Sequence, residues 1–233
     1  FHRGPCMKSP EELRQLHGKE YVEQFEKIHR SPLRLERLLE LCHLANTYNV
    51  ADFGCGNGLL MQHIARRVKS YAGVDFSAPF IDAAERRKAL LGVENATFHC
   101  MTIEAFCGQH PRSFDAGFAF DFSEHVNDKE WVETLRNIHG SLKEKGRLYL
   151  HTPNADFFME IFKRHDFVFK QLPGHIAVRT PDRNVALLQE AGFSVSRVRL
   201  IPHYNLLRLI HPLAFVPVIG RFLQARIFIE AVK

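Results

Sequence analysis

An acid, Asp52, stands near the end of an apolar run at residues 48–53, and glycine follows at 54, 56 and 58. Glycine admits positive φ and lets a backbone press against a bound molecule with no Cβ in the way. The helical spacing that comes next, Leu59 to Val68, would turn its N-terminal amides toward whatever the loop holds. A pyrophosphate-binding turn would read G-x-G-x-x-G, with its third glycine at 59; that position is Leu. A carboxylate at Asp52 would repel a pyrophosphate and would suit an ammonium group. A second acid, Asp75, ends the run at 70–75, about 20 residues past the loop, where a strand-tip carboxylate accepts ribose hydroxyls. A tight strand–helix turn would account for the glycines, but not for the two acids beside them.

A nucleoside carrying an amino acid in place of phosphates satisfies both acids and the loop, and S-adenosylmethionine is such a molecule. A second group of chemistry-bearing residues follows a later apolar run: Asp121, Glu124 and His125, at i, i+3 and i+4. On the first turn of a helix they would share one face, at the strand end where open α/β sheets bind ligands. Three readings stand open for them. Two carboxylates and an imidazole, completed by substrate oxygens, would make an Mg²⁺ site. His125 alone would serve as a general base. Or Glu124 and His125 are helix-end and buried hydrogen-bonding residues. His175, in Leu172-Pro173-Gly174-His175, and His151, at the end of another apolar run, are further candidates for substrate contact. With 14 histidines in the chain, position alone discriminates little among them.

Three segments carry a resemblance to a known family: His29-Arg30-Ser31-Pro32-Leu33-Arg34-Leu35, the loop at 50–58, and Asp121-Phe122-Ser123-Glu124-His125-Val126. Over roughly residues 30 to 200 the chain resembles the Rossmann-like (class I) S-adenosylmethionine-dependent methyltransferases. Within them it is most similar to the ubiquinone-biosynthesis O-methyltransferases. The resemblance implies that Gly54 and Gly56 let the methionine moiety approach the backbone, that Asp75 holds the ribose, and that Phe76 lies next to the adenine. Met101 occupies the place of a usual acid, leaving the amide of Thr102 for the adenine edge. Phe120 matches a position near the sulfonium, and Arg34 one that reaches the methionine carboxylate; an exposed helix residue is the other reading of Arg34. Asp121, Glu124 and His125 resemble the family's Glu-x-x-Glu-His, which holds magnesium there, although the first acid is one methylene shorter.

The implied activity is methyl transfer from S-adenosylmethionine to a small-molecule acceptor, with a phenolic or catechol-like hydroxyl expected. A metal-free N- or C-methyltransferase is the alternative. A nucleic-acid methyltransferase is disfavoured: no Asn/Asp-Pro-Pro-aromatic motif and no cysteine follow the fourth strand. A cofactor-binding partner without catalysis is a further alternative.

Positioning these residues takes repeated βα units. Strands are expected at 48–53, 70–75, 96–101, 114–120, 146–151, 193–200 and 225–232, and helices at 59–69, from Ser77 to Gly92, at 128–142 and from Thr180 to Glu190. The third and fourth strands are expected to be joined by a short irregular link. Ser31 and Pro32 open a helix expected to reach about Asn46. The alternation predicts an α/β fold with a mostly parallel, seven-stranded, doubly wound sheet. The resemblance implies the order 3-2-1-4-5-7-6 with an antiparallel C-terminal strand. Residues 1–47 are read as N-terminal helices, with 1–6, ahead of Met7, a remnant of an expression tag. Residues 48–233 are read as the methyltransferase domain, with insertions near 152–175 and 201–224. The second insertion is apolar but broken by Arg208, His211, Pro212, Pro217 and Arg221, so it is not expected to span a bilayer, and it is suited to peripheral membrane or subunit contact. Five cysteines without a C-x-x-C pair fit reduced thiols and a cytoplasmic setting. The net charge of +5 comes from scattered rather than clustered basic residues, so nucleic acid is not an expected partner.

Overall fold

The computed structural model describes residues 32–164, 176–201, 213, 214 and 216–233. Its strands form a seven-stranded sheet whose order, numbered along the chain, is 3-2-1-4-5-7-6, as expected. The chain falls into two compact units, Phe1–Gln109 and His110–Lys233.

The first unit holds α1 (Pro32–Leu39), β1 (Asn49–Phe53), α2 (Leu59–Ile64), β2 (Ser70–Asp75), α3 (Ala78–Leu91), β3 (Ala96–Cys100) and α4 (Ile103–Gln109). β2 pairs in parallel with β1 on one side and β3 on the other. The helix expected to reach Asn46 ends at Leu39. Its last amides tighten, Leu41 donating to the Leu38 carbonyl and Cys42 to that of Leu39, which is how a helix end satisfies orphan groups without a glycine. Gly92 closes α3 in the left-handed region. The link between β3 and β4, expected to be irregular, is the helix α4. The Thr102 hydroxyl accepts the Ala105 amide at its start, and Phe106 and Cys107 turn inward. Ile103, Phe106 and Cys107 stand at i, i+3 and i+4, a helical pattern too short to stand out from the sequence. Phe106 packs edge-on against Phe53.

The second unit holds β4 (Phe114–Phe120), a 3₁₀ turn (Ser123–His125), α5 (Asp128–Ser141), β5 (Leu142–Pro153), α6 (Phe158–Arg164), α7 (Pro181–Glu190), β6 (Ser194–Ile201), a second 3₁₀ turn (Gly220–Leu223) and β7 (Arg226–Val232). Asn127 and Glu130 cap α5 reciprocally, and Thr180 caps α7 ahead of Pro181. β5 starts four residues before its expected limit. Leu142 pairs with Phe114 and Arg147 with Ala116, so 143–146 bulge out, with Lys145 at φ 63°. A Cβ at Gly146 would lie 2.7 Å from the Lys143 carbonyl oxygen, and that local turn hid the first half of the strand. β7 lies antiparallel between β5 and β6, and Ile227 to Ala231 are buried, as an inner strand requires. Its one buried acid, Glu230, is paired by Arg147 of β5 and Arg197 of β6. Phe118, Tyr149 and Phe228 form a row of rings across β4, β5 and β7.

Candidate functional site

In the first unit the chain leaves β1 through three glycines in the left-handed region, Gly54 at φ 77°, Gly56 at φ 50° and Gly58 at φ 70°. Two of them have different spatial reasons. A Cβ at Gly58 would lie 2.9 Å from the Phe98 ring and 3.1 Å from Ala84, so that glycine serves helix–strand packing. A Cβ at Gly56 would meet nothing nearer than Phe80 at 3.9 Å. What Gly56 keeps clear is therefore the space in front of the loop, as a close backbone contact with a ligand requires.

Two carboxylates stand on this loop. Asp75, half-buried at the tip of β2, accepts the Gly56 amide at 3.1 Å and the Ser77 amide at 2.9 Å. Burial raises its carboxyl above the usual range against the pull of bonds from the Ser77, Gly56 and Phe76 backbone, and three such bonds leave a carboxylate an accepting site for a hydroxyl. Asp52 is 4% exposed and accepts the Tyr71 hydroxyl on Oδ2 at 2.5 Å. Burial, opposed by that bond and reinforced by Asp75, pushes its carboxyl up to about 7. The Cys55 thiol is raised well above its ordinary value by burial and by both acids, so it stays neutral. Phe76 is exposed at 41% beside Asp75, and the Met101 amide donates to the Asp75 carbonyl at 3.1 Å. Thr102 is exposed at the head of α4, and Arg34 lies half-buried on α1.

In the second unit β4 ends at Phe120, whose ring stands 5.8 Å from that of His151. Asp121 follows at φ 53°, a conformation Asp tolerates better than most residues, and its amide donates to the His151 carbonyl at 2.8 Å. Its Oδ1 lies 3.1 Å from His151 Nδ1 and accepts the Arg226 guanidinium at 3.0 Å. Glu124, 1% exposed, turns elsewhere: Oε2 accepts the Thr152 hydroxyl at 3.2 Å, and Thr152 in turn accepts that of Ser123 at 3.0 Å. His125 is half-buried at the end of the 3₁₀ turn. The first-turn helix expected to align the three is absent, because Asp121 leaves the strand with positive φ. Among the described residues, no group of three or more His, Cys, Asp or Glu stands together as a metal would need. The expected Asp121, Glu124 and His125 set is thus not assembled, and a guanidinium sits on the acid meant to meet the cation.

That turn is held by a residue the sequence reading missed. Arg179, 5% exposed, donates to the carbonyls of Ser123 and Val126 and to Asp128, each at 2.6 Å. Burial pushes the Asp128 carboxyl up, but the bonds from Arg179 and Arg183 outweigh it and hold it below the usual range.

These geometries stand beside what the chain is similar to. Residues 50–146 match the family described as methyltransferase domain. The chain is 32% identical over 132 residues to the ubiquinone biosynthesis O-methyltransferase of Albidiferax ferrireducens, covering 56% of this chain and 51% of that protein. It is 26% identical over 154 residues to the enzyme of that name from Neisseria meningitidis serogroup C, covering 64% and 63%. The chain thus spans about half to two thirds of the length of these relatives. Among solved structures, a SAM-dependent methyltransferase from Archaeoglobus fulgidus superposes with a TM-score of 0.70 at 19% identity, covering 91% of this chain and all of that one. The [4+2]-cyclase SpnF superposes with a TM-score of 0.73 at 15% identity, covering 100% and 99%. At such identities the likeness concerns the fold, and a cyclase on the methyltransferase fold shows why activity must be argued from the site.

Within the matched segment, Asp52, Gly54, Gly56 and Asp75 come together around one loop, with Phe76 and Met101 beside Asp75. Phe120 and Asp121 share the surroundings of His151. His175 lies outside the described residues. Tyr71, Arg179 and Arg226 had no sequence signal: each acts through a contact distant in the chain.

Proposed function

We propose that this chain transfers the methyl group of S-adenosylmethionine to an oxygen of a small molecule, a phenolic or catechol-like hydroxyl. The observation that carries the reading is the loop at 52–58 with its two carboxylates and the cleared space over Gly56. S-adenosylmethionine fits those residues: Asp52 would meet its ammonium, Asp75 its ribose, Phe76 the adenine, and Gly54 and Gly56 would admit the methionine moiety. Arg34, Met101, Thr102 and Phe120 keep the cofactor-binding roles that the family resemblance implies for them. When bound, it supplies a sulfonium methyl. The choice of an oxygen acceptor rests on the relatives named ubiquinone biosynthesis O-methyltransferase.

A hydroxyl acceptor must lose its proton as the new bond forms. We assign that proton to His125, half-buried at the 3₁₀ turn, with His175 as the second candidate; His151 is wholly buried against Asp121. The Mg²⁺ reading does not fit. Asp121 is neutralised by Arg226, and Glu124 faces hydroxyls of its own unit, so no step is routed through a metal. The same observation supports a metal-free N- or C-methyltransferase as the second reading.

Exposed Leu213, Val216, Val218, Ile219 and Phe222 support a peripheral contact through 201–224, with a lipid surface or a second subunit. Vesicle flotation and sedimentation velocity separate the two. The proposal as a whole is tested by calorimetry with S-adenosylhomocysteine, followed by labelled methyl transfer to phenolic, sugar and amine acceptors. Absence of cofactor binding would overturn it, and transfer only to amines would replace the acceptor.

A further inference from the structure

The register of β1 and β2 explains an arrangement that neither the family description nor the relatives' names assign. Asp52 stands opposite Gly73, and Val50 opposite Tyr71, so Tyr71 is diagonal to Asp52 on the neighbouring strand. Alternation along a strand puts Tyr71 and Gly73 on one face. Gly73 presents no side chain there; a Cβ would lie 2.7 Å from the Phe98 ring and 3.0 Å from Cys55 Sγ. Phe98 and Cys55 fill that space, and the Tyr71 ring, packed edge-on against Phe98 at 5.8 Å, places its hydroxyl on Asp52 Oδ2. Asp52 Oδ1 has no partner among the described residues. The titratable groups facing Asp52 are Tyr71 and Asp75 of β2 and Cys55 of the loop. None can be a cation, and no Lys, Arg or His of the described residues offsets the carboxylate.

We infer that Tyr71 is a positioning residue for cofactor binding: its hydroxyl fixes one oxygen of Asp52, leaves Oδ1 for the ligand's ammonium, and makes binding expel the Asp52 proton. The inference rests on the cofactor reading above. The free loop holds Asp52 partly as the neutral acid, because no cation among the described residues lies between its buried carboxylate and that of half-buried Asp75. An ammonium-bearing ligand supplies that cation, Asp52 ionises, and the proton passes to solvent. Tyr71 does what an ordinary core tyrosine would not: its hydroxyl sets the pH at which the exchange occurs.

The test is calorimetry of S-adenosylhomocysteine binding in pairs of buffers with different ionisation enthalpies. Both pH values, about 6 and about 7.5, keep the ligand amine largely protonated. With Asp52 near 7 in the free protein, linkage predicts release of about 0.9 proton per ligand at the lower pH and about 0.25 at the higher one. Asp52→Asn should remove that pH-dependent part, leaving whatever Asp75 contributes. Tyr71→Phe removes the bond that lowers the Asp52 carboxyl. It should therefore release more protons at pH 7.5 than the wild type does at that pH, with affinity several-fold weaker. Equal proton counts in wild type and Asp52→Asn would overturn the inference, even if Tyr71→Phe failed to fold. So would a Tyr71→Phe affinity loss with an unchanged proton count, which is what mere packing damage would produce. No binding by the wild type at either pH would overturn the cofactor reading and this inference with it; binding without proton release overturns only the latter.

Discussion

Burying Asp52 costs the free protein stability, and replacing it should stabilise that state. Its carboxyl moves from 3.8 to about 7 on folding, roughly three pK units at about 1.4 kcal/mol each, or an upper bound of about 4 kcal/mol. The sign follows from linkage. A carboxyl raised by folding binds its proton more tightly in the native state, so its contribution is intact below the unfolded value near 3.9 and is lost as pH rises through about 7. Asparagine carries no charge to desolvate, and its amide oxygen can still accept the Tyr71 hydroxyl. The ligand-free Asp52→Asn protein should therefore melt above the wild type at pH 8, and the gap should shrink toward pH 5. Between those pH values the wild type loses about 2–3 kcal/mol relative to the variant. For a chain of this size that is on the order of 5–10 °C in melting temperature. Calorimetric melts at the two pH values read it directly, and both variants carry the same Asp75, so its titration largely cancels. A variant that melts no higher than the wild type at pH 8, or whose gap is the same at pH 5, would refute the account of Asp52 as a buried acid awaiting a cation.

Three further outcomes follow from the same geometry. Asp75→Ala removes the ribose acceptor and should weaken S-adenosylhomocysteine binding by about tenfold or more, a loss of roughly 1.5–3 kcal/mol; unchanged affinity in a folded variant would contradict its role. Arg179→Ala should cost about 3–5 kcal/mol by leaving the Ser123 and Val126 carbonyls without their donors and Asp128 without its ion pair. Arg179→Lys should recover little of that, since one ammonium cannot serve three acceptors in a fork, and urea denaturation measures both. Once an acceptor is known, EDTA should leave turnover unchanged; loss of turnover that Mg²⁺ restores would reinstate the metal reading and show that Arg226 yields Asp121 to the ion.

What was legible in the sequence was what repeats locally. Alternating apolar runs and Gly, Ser, Thr and Pro punctuation placed β2, β4 and α7 within a residue, because their limits are set by neighbours in the chain: Ser70, Asp75, Thr180-Pro181. Two late apolar runs joined without a plain crossover helix pointed to the hairpin of β6 and β7, and the resemblance supplied its place in the sheet order. Limits set by distant contacts were not legible. β5 begins at Leu142 because Phe114 pairs with it across a bulge, and the Lys-Glu-Lys-Gly segment in between reads as a plain turn. The helix from Pro32 stops at Leu39 through backbone bonds that no residue type announces.

The two acidic groups show the same division at the level of function. Asp52 and Asp121 both lie at the ends of apolar strands, beside loops, and both suggest a cation. Their partners separate them. Asp121 finds a guanidinium 105 residues later, in Arg226, and an imidazole in His151, so its charge is settled inside the protein. Asp52 finds only a phenol and another acid. A buried carboxylate is tolerated when its counter-charge is supplied; Asp121 has that counter-charge in its own unit, and Asp52 has none among the described residues. The place where the described residues supply no cation is where a cationic ligand would be worth most, and this is the ground for proposing Asp52, near Gly56, rather than Asp121 as the acid that a ligand completes.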